Sequence, residues 1–263
     1  MSAGERPVAL DDGSQTTLEW WGGAGPVVLC VHGITSSRRS WARLGERLAA
    51  SRRTFAYDQR GHGDSAAVPG PMTLERSVAD LAEVAKTLPG PVDLLVGHSW
   101  GGAVALAGAR TLGARTVLVV DPMVRVAPET FEADYVDDLR ETFALGGAAR
   151  EQAIRQMYAG LPEVEVAGKL HAMRSMSIGA LERLGRDNRV DAGGWDLRAT
   201  VANFPVPLLV LAAGVESVLS PGDLRELRER GGPNVTVRVV EGQGHNLQRT
   251  DFEGFVDALL TFA

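Results

Sequence analysis

Val92-Asp93-Leu94-Leu95-Val96-Gly97-His98-Ser99-Trp100-Gly101-Gly102 decides the fold. A short apolar run suited to a buried strand breaks into G-x-S-x-G, and a helical pattern follows over residues 101–112. Working outward, residues 27–31, 54–57, 92–96, 116–120, 208–211 and 235–240 read as strands buried on both faces. Residues 40–51, 73–88, 221–230 and 252–262 read as helices between and after them. This alternation predicts an α/β fold with a mostly parallel sheet and helices on both faces. Residues 16–21 are expected in an antiparallel N-terminal hairpin.

The alternation stops over residues 124–203, which are helical in pattern and offer no good strand. Phe131, Tyr135, Phe143, Met157, Tyr158, Met173, Met176, Ile178 and Trp195 supply its apolar side chains. It reads as a helical cap inserted over the carboxyl edge of the sheet, where open α/β folds bind ligands. The expected core is residues 1–123 and 204–263. From pattern alone, the cap's apolar residues cannot be divided between a core of their own and a pocket wall.

The chain has 263 residues, 44% of them hydrophobic, and a net charge of -6. That length buries a sizeable core, and that charge gives no basic face for nucleic acid. The single cysteine, Cys30, sits in an apolar run and reads as a small buried hydrophobe. The first thirteen residues lack a signal-peptide core, and no apolar run approaches the ~20 residues of a membrane span. A cytoplasmic location without a membrane partner is the expectation.

A serine on a sharp strand-to-helix turn is held at a helix N-terminus in strained backbone geometry, which suits a nucleophile. It needs a base. Of the five histidines, His32 and His62 lie in glycine-containing turns, His98 adjoins the serine on a turn that sends neighbours apart, and His171 lies in the cap. His245, in Glu241-Gly242-Gln243-Gly244-His245-Asn246 after the last strand, is placed to reach Ser99. Charge developing on an attacked carbonyl oxygen needs donors already in position. The backbone N–H of Trp100 and that of Ile34, in His32-Gly33-Ile34-Thr35, are the candidates. Scattered histidines and one cysteine give no metal-ligand cluster, and no glycine-rich phosphate cradle with a lysine is present, so neither metal nor cofactor is expected.

With HGIT, YDQRGHGDS, GHSWGG and GQGH in this order and spacing, the chain resembles the α/β-hydrolase superfamily over nearly its whole length, least in the cap. The resemblance implies an eight-stranded α/β-hydrolase fold and a catalytic triad. It also implies that Asp58, His62 and Asp64 are structural. Epoxide hydrolases and haloalkane dehalogenases of this fold carry an aspartate where this chain has Ser99. Many members place the triad acid in the loop after the seventh strand, as G-x-x-D-x-x-x-P. Here Gly214 and Pro221 keep that spacing, but Ser217 occupies the acid position, with Glu216 beside it. Pancreatic-type lipases and zearalenone lactonases carry the acid after the preceding strand, where this chain has Asp121. Asp121 is favoured, with Glu216, or no acid at all, as the alternatives. The expected activity is that of a serine hydrolase cleaving a medium-sized, fairly apolar ester or lactone. Carbon–carbon bond hydrolysis, thioester hydrolysis, perhydrolysis and a non-enzymatic receptor role stay open, as does a homodimer.

Overall fold

The computed structural model describes residues 3–126 and 140–263. Eight strands form one sheet: β1 (Gly4–Ala9), β2 (Gln15–Trp21), β3 (Val27–Val31), β4 (Arg53–Tyr57), β5 (Val92–His98), β6 (Thr116–Val120), β7 (Leu208–Ala213) and β8 (Val235–Val240). Their spatial order is β1-β2-β4-β3-β5-β6-β7-β8. β2 pairs antiparallel with β1 and with β4, and every pair beyond is parallel. The hairpin thus includes a first strand, β1, that the sequence did not signal. Of its six residues only Val8 is buried, so it lacks the continuous apolar run of the inner strands.

Alternation along each strand sorts the core into two layers. Val27, Leu29, Val31, Val117, Val119, Leu208 and Val210 face α2 (Leu74–Lys86) and α3 (Trp100–Leu112). Val28, Cys30, Leu118, Val120, Leu209 and Leu211 face α1 (Ala42–Leu48) and the C-terminal helix (Phe252–Phe262). Successive strand side chains point to opposite faces, so an unbroken apolar run is what a doubly covered sheet requires. Cys30 lies fully inside the second layer, where burial raises its thiol pKa.

Between β6 and β7 the described residues form α4 (Gly147–Met157), α5 (Glu163–Ser175), α6 (Ile178–Asn188) and α7 (Arg198–Ala202). The segment's two ends lie together: Arg125 bridges Asp196, Val126 N donates to Trp195 O at 2.9 Å, and Leu197 N donates to Val124 O at 2.7 Å. Ile154, Tyr158, Val166, Leu170 and Met173 make a small core of their own, with Phe143 against it. Phe131 and Tyr135 lie outside the described residues. α5 packs on the turn after β3 so closely that a Cβ on Gly168 would come within 2.9 Å of Arg39 O. After β7 come α8 (Pro221–Arg230), capped by Ser220 Oγ accepting from Asp223 N at 3.1 Å, then α9 (Leu247–Thr250) and α10 (Phe252–Phe262).

Candidate active site

Ser99 stands between β5 and α3 with φ 54° and ψ −118°. The crowding is backbone on backbone: a Cβ on Gly101 would strike the carbonyl of Val31, and one on Gly97 would strike that of Gly101. The elbow is fastened to the exit of β6. Ser99 N donates to Val120 O at 3.0 Å, and Ser99 O accepts from Met123 N at 3.2 Å. Among the described residues, the non-glycine residues with positive φ are Thr35, Ser99, Asp121 and Glu216. They follow β3, β5, β6 and β7, so the strained positions gather at one edge of the sheet, as strain does at sites where geometry matters. Only the strain at Ser99 was legible in the sequence.

His245, in the loop after β8, donates from Nδ1 to Oδ2 of Asp121 at 2.7 Å. With Nδ1 carrying the proton, Nε2 keeps its lone pair. The Asp121 carboxylate is fully buried and is held from every side. Oδ1 accepts from Ala213 N at 3.0 Å and Ser217 Oγ at 2.6 Å, and Oδ2 also accepts from Val218 N at 3.0 Å. Burial pushes the Asp121 carboxyl up, but the hydrogen bonds from His245, Ser217 and the two amides outweigh it and hold the pKa below the usual carboxylate range. Glu216 is exposed and makes no hydrogen bond to His245 among the described residues. Ser217, in the loop after β7, instead donates to the aspartate that follows the neighbouring strand β6.

His98 contributes a contact the sequence did not suggest. Its Nε2 donates to the carbonyl of His245 at 2.9 Å, and the two rings sit 4.6 Å apart. Burial and the His245 charge lower the His98 pKa well below its ordinary value, so it stays neutral and keeps that donor. His32 is likewise fixed, accepting at Nε2 from Gln59 N at 3.0 Å, with burial lowering it to about 4. The loop it begins touches the elbow, since a Cβ on Gly33 would lie 3.1 Å from Ser99 Cβ. Among the described residues, the Ile34 and Trp100 amides donate to no protein acceptor, and Ser99 Oγ makes no hydrogen bond.

A cavity of about 290 Å³ opens beside His98 and His245. Ile34, Thr35 and Ser36 form its floor, Met157, Tyr158 and Leu161 its apolar wall, and Lys169 and Arg249 a cationic one. Tyr158 and Leu161 also pack with the small core of these helices, to which Ile154, Leu170 and Met173 belong without lining the cavity. Lys169 and Arg249 were not anticipated, because a lone cation in a helix reads as a solvated face.

Elsewhere, Asp58, Asp64 and His171 approach one another closely enough to hold a metal. The Arg38 guanidinium already lies on both carboxylates, 2.8 Å from Asp64 and in contact with Asp58, so a cation is in place. His62 bonds Arg60 O at 3.0 Å, burial lowers it to about 3, and it takes no part in the cavity.

A model of the alpha/beta hydrolase family matches residues 28–258. The chain belongs to this family. Among its relatives within alpha/beta hydrolases, the N-formylmaleamate deformylase of Pseudomonas putida is 28% identical over 252 residues, covering 92% of this chain and 90% of that protein. An esterase of Mycobacterium tuberculosis is 26% identical over 249 residues, covering 87% of this chain and 79% of the esterase. The crystal structure of the N-formylmaleamic acid deformylase from Pseudomonas putida S16 superposes with a TM-score of 0.80 at 22% identity, covering 97% of this chain and 100% of that one. That likeness shows the alpha/beta hydrolase fold. Among the described residues, no helix is long and apolar enough to cross a membrane.

Proposed function

We propose that this chain is a serine hydrolase acting on a small carboxylic ester or lactone, with Ser99, His245 and Asp121 as its triad and residues 124–203 as a cap over the site. The observation that carries the reading is the 2.7 Å bond from His245 Nδ1 to a buried carboxylate, on the sheet edge where Ser99 is held at positive φ. His245 Nε2 takes the Ser99 proton as Oγ attacks the carbonyl carbon, and Asp121 stabilises the resulting imidazolium. The amides of Ile34 and Trp100 receive the oxyanion. Collapse expels the alkoxide, which takes the proton from His245. Water then gives a proton to His245 and attacks the acyl-enzyme, and Ser99 leaves with that proton as the acid is released.

A fluorophosphonate probe should label the protein at Ser99, and Ser99→Ala should abolish both labelling and ester turnover. An unlabelled but folded protein would sink this reading and favour a receptor. The deformylase relative favours a second reading, acyl–nitrogen cleavage by the same residues. Comparing an N-formyl amide with an ester of equal size separates the two.

A further inference from the structure

Two cations reach the cavity beside His245 from different parts of the fold, and the protein leaves them short of negative charge. Lys169, on α5, donates to Thr35 O at 2.9 Å and to Thr35 Oγ1 at 3.1 Å. Both acceptors are neutral, one of its three donors remains unused, and no carboxylate pairs with it among the described residues. Arg249, on α9 and four residues after His245, donates to Tyr158 Oη and, at 3.2 Å, to Ser36 Oγ, which are neutral too. Among the described residues the carboxylate beside it is Glu165, which pairs with Nε at 3.5 Å without a hydrogen bond, and both atoms are buried with no hydrogen-bond partner. A buried charge without a matched partner is costly. The strain shows in the groups themselves: burial, then the Arg249 charge, pushes Lys169 down to about 7, and burial raises Glu165 against the pull of Arg249. An arriving anion would relieve both cations.

The place of this excess charge narrows the ligand. Thr35, which holds Lys169, directly follows Ile34, and consecutive Cα atoms lie about 3.8 Å apart. A carboxylate on Lys169 therefore lies only a few bonds from a carbonyl held at Ile34. The cavity, at about 290 Å³, suits a small molecule. We propose that the substrate is itself an acid, a half-ester or comparable mono-acyl derivative of a short dicarboxylic acid, whose free carboxylate is held by Lys169 and Arg249. This rests on the hydrolase reading for the identity of the reacting end, and on the cationic wall alone for the carboxylate.

The test compares monomethyl glutarate with methyl valerate, alike in length and differing in the terminal carboxylate. The wild-type protein should prefer the half-ester in kcat/KM by about 10- to 100-fold, the range of a hydrogen bond to a charged group. In Lys169→Met the ratio should fall toward one, while Lys169→Arg should keep most of it. Absence of the preference in the wild type, or its persistence in Lys169→Met, overturns the proposal. If Lys169→Met does not fold, the wild-type ratio and its retention in Lys169→Arg decide. Calorimetric titration with glutarate reads the anion site without turnover. Probe labelling of Ser99 without glutarate binding or half-ester preference sinks the acid site alone. Glutarate binding without labelling sinks the hydrolase reading and leaves the acid site standing.

Discussion

Asp121 accepts four hydrogen bonds from groups spread over β7, the loop after it and the loop after β8. That saturation keeps a buried carboxylate charged and aimed at one ring nitrogen. Asp121→Asn removes the charge and favours the wrong His245 tautomer, so turnover should fall by about 10⁴ with the fold intact. Glu216→Gln should leave turnover within a few-fold, since its side chain is exposed and, among the described residues, makes no hydrogen bond to the imidazole. Steady-state kinetics with a reporter ester on both variants checks this, and loss confined to Glu216→Gln would reverse the assignment. Ser217→Ala should fall between them and shift the acid limb of the pH–rate profile upward. Removing a donor to the carboxylate raises its pKa, and a carboxylate needed in its charged form then fails at a higher pH.

Among elements, the segment between β6 and β7 is held to the core by a few buried polar contacts. Asn188, at the end of α6, donates to Met72 O at 2.8 Å and accepts from Leu74 N at 3.2 Å, closing the start of α2 against the cap. It also accepts from Trp195 Nε1 at 3.3 Å. Asn188→Ala leaves these groups without partners and should cost about 2–3 kcal/mol, in the range for an orphaned buried polar group. Thermal unfolding would show it, and a change below about 0.5 kcal/mol, the size of a neutral surface substitution, would mean the contact is incidental. On the other side, Lys169 and His171 fasten α5 to Thr35 and Ser37, beside the candidate oxyanion loop. These helices and the loop after β3 are therefore joined through one short stretch of chain.

At the scale of the whole molecule, the buried Arg38 gathers a network of ion pairs. Its side chain is fully inaccessible, as is that of Asp58, and Glu5, Glu19 and Asp64 approach the same guanidinium. This network joins β1, β2, the exit of β4 and the turn after β3, so it locks the antiparallel hairpin to the parallel sheet. Arg38→Met would strand the Asp58 charge inside the protein and should lower stability by about 3–5 kcal/mol. Chemical denaturation measures it. An unchanged midpoint would show that the network contributes nothing net, which some buried ion pairs do not. The residues Asp58, His62 and Asp64 thus belong to scaffold rather than to the cleft.

By itself the sequence determined the inner strands and the helices that follow them, the elbow at Ser99, and His245 as the imidazole beyond the last strand. Each of these is written in a local pattern: an unbroken apolar run, glycines where backbones crowd, a polar loop after a strand. The sequence favoured Asp121 over Glu216, but the bond from the imidazole to Asp121 is seen only in three dimensions. That bond joins residues 124 positions apart, and the contact of Lys169 with Thr35 spans 134. No local periodicity carries such pairings. They exist because parallel crossovers bring the carboxyl ends of separate strands to one edge, and because the inserted helices fold back over it.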